Sequence, residues 1–224
     1  MPKINILVEG QTEETFVRDV LNPYLIKRYP STYAHAIVIQ TKRVLKGDTW
    51  RGGITKYRHF QAQAKRLIGD GGSVALTSMI DLFHLPDDFP NYAEAQTLPL
   101  RKRVTALEEA LSDDIGSEKF VPYISTHEFE ALVLAQPEVL VDVIGADRRK
   151  VDKFTKTLAN FKSPEHVNGE VAPSKRIQTE FPAYSKVIHG PLSTERIGID
   201  ILTEKCKHFA NWLRALEKRC GGTS

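Results

Sequence analysis

The sequence predicts an α/β protein: a mainly parallel sheet with helices on both faces, followed by a C-terminal helical extension packed on it. Short apolar runs alternate with helix-like patterns through the first 135 residues, and these runs end in turns that carry an acid or a glycine. Beyond about Ala135 the strand signal fades and helical patterns take over. Such alternation needs crossover connections, which place neighbouring strands parallel and cover both faces of the sheet. Residues 1–135 are therefore expected to form the α/β core, and residues 136–224 a mainly helical extension of the same globular unit.

The first strand runs from Lys3 to Val8 and stops at Glu9-Gly10, a turn that glycine makes cheaply. Thr12 is expected to cap the next helix, with Glu13 and Glu14 in its first turn, where carboxylates favour the positive end of the dipole. Phe16, Val17, Val20, Leu21, Tyr24 and Leu25 supply its apolar stripe, and Pro30 ends it. A second strand is expected over 36–40, then a basic, glycine-bearing connection, then a helix over 57–68. GDGGS at 69–73 lacks the Lys-Ser/Thr of a phosphate-binding loop and reads as a turn. The third strand, 74–80, runs into Asp81, and the Pro- and Asp-rich segment 82–91 is expected to be irregular. A helix over 100–111 precedes the fourth strand, 120–125, which leads into His127-Glu128-Phe129-Glu130. Short helices, a polar loop over 163–175 and a final helix over 201–218 complete the reading.

Composition narrows the function classes. No run approaches the roughly 20 apolar residues that span a bilayer, and the first ten residues read as a strand rather than a secretory signal. Cys206 and Cys220 have no metal-site spacing, which argues against zinc or thiol chemistry and suits a reducing, cytoplasmic setting. The formal charge of +3 permits a nucleic-acid partner without requiring one.

Three of the four expected strands end in a carboxylate: Glu9, Asp81 and Glu128. The carboxyl ends of parallel strands share one edge, where such sheets bind ligands. Acids converging there repel unless a cation or a shared proton offsets them, and Mg²⁺ or Mn²⁺ takes carboxylate oxygens together with water and phosphate. Glu13 and Glu14 are assigned to capping. If the fourth strand continues through Glu128 and Glu130, both point to one face; if a helix has begun, they diverge by about 200°.

ILVEGQTEE at 6–14 and TSMIDLF at 77–83 resemble the Toprim domain shared by topoisomerases, primases and nucleases of the overcoming-lysogenization-defect type. The chain more closely resembles a family of bacterial Toprim-like proteins often encoded beside an ATPase. The segments that carry this likeness are VEGQTE (8–13), MIDLFHLPDDFP (79–90), HEFEAL (127–132), APSKRI (172–177), the stretch from Tyr184 to Gly190, and KCKHFANWL (205–213). By that resemblance Glu9 matches the Toprim glutamate, an acid–base group or metal ligand, and Asp81 matches the first acid of the Asp-x-Asp pair. Phe83 stands where the second acid is expected, which leaves Asp87, Asp88, Glu128 or Glu130 to complete a metal site.

Several basic groups are candidates for phosphate. Lys42, Arg43, Lys46 and Arg51 surround Trp50, a pattern that suits a nucleic-acid backbone and a stacked base as well as it suits a solvated loop. Lys175 and Arg176 follow Pro173, and the resemblance favours them as phosphate ligands, Lys175 with a catalytic role. His189, beside a Gly-Pro turn, could shuttle a proton but reads rather as structural, and His127 reads as either. The leading expectation is a Mg²⁺- or Mn²⁺-dependent nuclease of DNA or RNA, with Glu9 as base or ligand and Asp81, Glu128 and Glu130 as further ligands. A link to phage defence with an ATPase partner belongs to the same expectation. A non-catalytic effector subunit of an ATPase complex and a phosphoesterase acting on a small nucleotide are the alternatives.

Overall fold

The computed structural model describes residues 2–39, 54–167 and 171–221. Strand β1 (Lys3–Val8) leads into α1 (Gln11–Phe16), which continues through a π-helical stretch (Val17–Leu21) into α2 (Asn22–Arg28). Then come β2 (Tyr33–Val38), α3 (Tyr57–Gly69) and β3 (Ala75–Asp81), followed by a 3₁₀ turn (Leu82–His84), α4 (Tyr92–Ala95) and α5 (Leu100–Ile115). The short strands β4 (Phe120–Val121) and β5 (Ile124–Ser125) close the sheet. The rest is helical: α6 (Glu130–Val133), α7 (Pro137–Ile144), α8 (Arg149–Leu158), a 3₁₀ turn (Pro164–His166), α9 (Pro173–Glu180), α10 (Lys186–Ile197), α11 (Ile199–Lys205) and α12 (Lys207–Gly221).

The strands lie in the order β2-β1-β3-β4, with β5 also pairing with β3, and every pair is parallel. Successive side chains of a strand point to opposite faces, so an apolar run such as that of β1 feeds two cores. Ile4, Ile6 and Val8 join Met79 beneath Phe16, Leu21, Phe129, Phe209 and Trp212. Leu7, Leu76 and Ile80 face the opposite way, against Phe60, Ala64, Leu107 and Leu111. Helices thus cover both faces, as the alternation of patterns predicts. Residues of α7, α10, α11 and α12 belong to the first of these cores. Among the described residues no helix is long and apolar enough to cross a membrane.

Four local expectations are corrected. The fourth strand is split, because Pro122 has no N–H to give to the ladder; the neighbouring Tyr123 N–H donates instead to Ser78 Oγ at 2.9 Å. The final helix is broken at Cys206. There the carboxylate of Glu165 accepts the His208 and Phe209 N–H groups, both at 2.9 Å, and so starts α12 anew. Thr12 is not the N-cap: α1 already begins at Gln11, with Gly10 as its flank, and Thr12 is buried within the helix. The polar stretch after Ser163 holds a 3₁₀ turn and the start of α9, where Pro173 occupies the first turn as that residue prefers.

Candidate functional site

The chain leaves β1 toward β2 on one side, while β3 lies on the other, so the cleft at the carboxyl ends of β1 and β3 is a topological switch point. Val8 pairs with Met79, which brings Glu9 beside the end of β3. The Glu9 carboxylate accepts the Asp81 N–H through Oε1 at 2.9 Å. The 3₁₀ turn after Asp81 then carries His84 back over the acids: its Nδ1 lies 3.3 Å from Glu9 Oε2 and 3.8 Å from Asp81 Oδ2.

Two more acids enter from helices. Glu13, one helical turn beyond Glu9, is buried in α1, and Glu130 opens α6 with no exposed surface. The fourth strand ends at Ser125, and His127 turns the chain with φ 74° in the left-handed region. Glu128 and Glu130 are therefore neither on one strand face nor in one helix. Glu128 turns toward α9, where it accepts the Ser174 N–H at 2.9 Å and the Ser174 hydroxyl at 3.0 Å.

Helix α10 supplies the cation. Lys186 Nζ lies 3.3 Å from both Asp81 Oδ2 and Glu130 Oε2, and Tyr184 donates its hydroxyl to Glu130 Oε1 at 3.2 Å. Gly190 marks where α10 packs closely on Thr12 and Phe129. A Cβ there would stand 3.4 Å from Phe129, from Thr12 and from the Tyr184 hydroxyl.

Four carboxyl groups thus face one ammonium and one imidazole. Burial raises Glu13 to about 7, with Lys186 opposing the shift. Burial also pushes Asp81 and Glu130 up, and Lys186 is again the main opposing charge. His84 is raised to about 9, chiefly by its hydrogen bond to Glu9. Burial works against the Lys186 ammonium, but Asp81, Glu130 and Glu13 together outweigh it and hold the proton on. The cluster therefore has more carboxylate than its own cations neutralise, and at neutral pH it retains protons or takes up a further cation.

Three of these groups could hold a divalent ion. Glu9, Asp81 and His84 each offer a ligand atom within 4.8 Å of the others. Asp81 Oδ1 is buried with no hydrogen-bond partner among the described residues, an unspent oxygen beside that group. Carboxylate oxygens with one imidazole suit Mg²⁺ or, better, Mn²⁺.

The family model for a domain of unknown function, DUF4276, matches residues 8–217. The chain belongs to the DUF4276 family. No curated protein and no solved structure matches it.

In this DUF4276 chain, Glu9 and Asp81 come together at strand ends as expected, and Glu130 joins them from the start of α6. Glu128, the third acid expected at a strand end, is instead spent on α9. Asp87 and Asp88 are exposed, and Asp88 accepts the Tyr57 N–H at the start of α3. Lys175 is exposed on α9. Arg176 lies with its guanidinium 5.1 Å over the Phe161 ring and donates to the Val171 carbonyl. Lys42, Arg43, Lys46, Trp50 and Arg51 fall outside the described residues.

Sequence reasoning passed over Glu13, His84, Tyr184 and Lys186. The spacing Glu-x-x-x-Glu across a strand-to-helix turn was a usable signal for Glu13, since one helical turn returns the side chain to the same edge. Lys186 carries no local signal beyond its place in the segment 184–190. His127 is buried, both its ring nitrogens lack partners among the described residues, and burial lowers it to about 4, so the ring is neutral. Phe83 packs on that ring at 5.1 Å and leaves half of its own surface exposed.

Proposed function

We propose that this DUF4276 member is a Mg²⁺- or Mn²⁺-dependent phosphodiesterase of Toprim type acting on nucleic acid. The observation that carries the reading is Lys186, held 3.3 Å from both Asp81 and Glu130 in a carboxylate cluster at the switch point of the sheet. Glu9, Asp81 and His84 would hold the metal, the ion displacing the proton that Glu9 otherwise keeps on His84. When bound, such an ion neutralises phosphate charge and makes water a stronger nucleophile. Lys186 supplies positive charge to the oxygens of the phosphorus under attack. Glu13, raised to about 7, is suited to take the proton of the attacking water as the P–O bond to the leaving oxygen breaks. Phe83, beside Asp81 and backed by the uncharged His127 ring, offers its open face to an unpaired base. That exposed ring supports nucleic acid as the substrate.

The test is cleavage of single-stranded DNA and RNA in Mg²⁺ and in Mn²⁺ by the parent, Asp81→Asn and Lys186→Met. Each variant is expected to lose at least about a hundredfold in rate. Equal cleavage by all three proteins would reject the site.

A second reading, a non-catalytic subunit docked on a partner such as an ATPase, draws on one feature. Val187, Ile188 and Leu192 of α10 are 46%, 58% and 42% exposed. Association with an ATPase and no metal-dependent cleavage by the complex would favour it.

A further inference from the structure

A second cavity, of about 530 Å³, lies apart from the carboxylate cluster and shares no residue with it. It is enclosed by α5, the 3₁₀ turn Pro164–His166, the end of α11 and the start of α12, with Thr126 at the end of the sheet. Its size falls within the range of small-molecule sites.

The charges lining this cavity do not balance. Arg101, Lys162, Lys205 and Lys207 face two acids, Glu165 and Glu204, a formal excess of 4 − 2 = +2. Both acids are already engaged. Glu165 gives both oxygens to the α12 N–H groups described above, and Glu204 pairs with Lys205 at 2.8 Å. Glu108, nearby on α5, is likewise spent on the His208 ring and the Ile124 N–H. Arg101, Lys162 and Lys207 are exposed and form no ion pair among the described residues. Like charges gathered at one concave site without counter-ions cost free energy that an anion would offset.

The rest of the lining narrows the class of anion. Leu100, Val104 and Pro164 give the lining an apolar part, and Thr105 and Thr126 line it as well. A simple inorganic ion would leave that apolar part bare. A phosphate carrying a nucleoside would set its charge against the cations and its ring and sugar against the apolar part. We propose that this cavity is a binding site for a nucleoside monophosphate, separate from the carboxylate cluster. The assignment stands independently of the phosphodiesterase reading.

The test is titration calorimetry with AMP in EDTA, which removes divalent ions from the carboxylate cluster. The variants are Arg101→Glu, Lys207→Glu and a control, Lys27→Glu, which makes the same charge change on α2. All three replace exposed residues. AMP is expected to bind the parent and the control alike and to bind each of the other two at least about tenfold more weakly. Inorganic phosphate is expected to compete, at higher concentration than AMP. No binding of AMP up to about 10 mM, or binding that survives Arg101→Glu and Lys207→Glu, would overturn the proposal. So would a loss as large in Lys27→Glu, which would mark a general charge effect. Phosphate competing as well as AMP would overturn the nucleoside part of the assignment.

Discussion

Replacing Glu13 by glutamine keeps the shape of the side chain and removes its titration. In the unfolded chain Glu13 ionises near 4.5, and in the fold it ionises at about 7, because burial disfavours the carboxylate more than Lys186 favours it. Below pH 4.5 both states hold the proton, and the group affects stability no differently from glutamine. As pH rises from 4.5 toward 7, the unfolded chain releases a proton that the folded chain keeps, so stability is lost across that window. The interval is about 2.5 pH units at about 1.36 kcal/mol each, so the full cost is about 3 kcal/mol. Glu13→Gln is therefore expected to match the parent near pH 4 and to exceed its stability by about 3 kcal/mol near pH 8.5. Urea unfolding in EDTA at the two pH values measures the difference. A bound divalent cation favours the ionised carboxylate, so the gain should shrink when Mg²⁺ is added. A difference that is the same at both pH values, or a variant less stable than the parent near pH 8.5, would refute the reasoning.

Three further outcomes are expected. Lys186→Met leaves Asp81 and Glu130 without their shared cation; unfolding experiments should show a loss of about 2–4 kcal/mol near pH 8 that diminishes toward pH 5 as the acids take up protons. Gly190→Ala should be tolerated, since its Cβ meets three atoms at ordinary contact distance, whereas Gly190→Val should cost about 1–3 kcal/mol and weaken Mn²⁺ binding measured by calorimetry, because it lifts α10 from α1. Trp212→Phe removes the indole hydrogen bond to Thr77 Oγ1, made at 2.8 Å in the core; thermal unfolding should show a loss of about 1–2 kcal/mol with cleavage unchanged.

The parts of the fold legible in the sequence are those set by local periodicity. The continuous apolar run of β1 and the stripe of α1 and α2 each state their burial within a few residues, and the parallel sheet follows from their alternation with other such elements. Glu9 and Asp81 were readable for the same reason: an acid that directly ends a buried strand lies at the ligand-binding edge of a parallel sheet. At Glu13 and at Cys206, where local rules went wrong, a distant group had overridden them. Glu13 looked like a first-turn carboxylate in water, but α10 roofs that turn and converts it into a buried acid. The break at Cys206 has its cause in Glu165, some forty residues earlier, whose carboxylate satisfies the first N–H groups of a new helix.

The sequence by itself determined that this chain forms a parallel α/β sheet with acids at its carboxyl edge. It did so because strand and helix periodicity are properties of neighbouring residues. Only the tertiary structure decided which acids meet. Lys186 reaches Asp81 across 105 residues of chain, and Glu128 is drawn off to Ser174 while Glu130, two positions on, turns inward. Those choices rest on packing: the close approach at Gly190 and the left-handed turn at His127 fix where each carboxylate points. Burial then sets how many of these groups keep their protons, since desolvation depends on everything that surrounds a side chain and not on its neighbours in sequence.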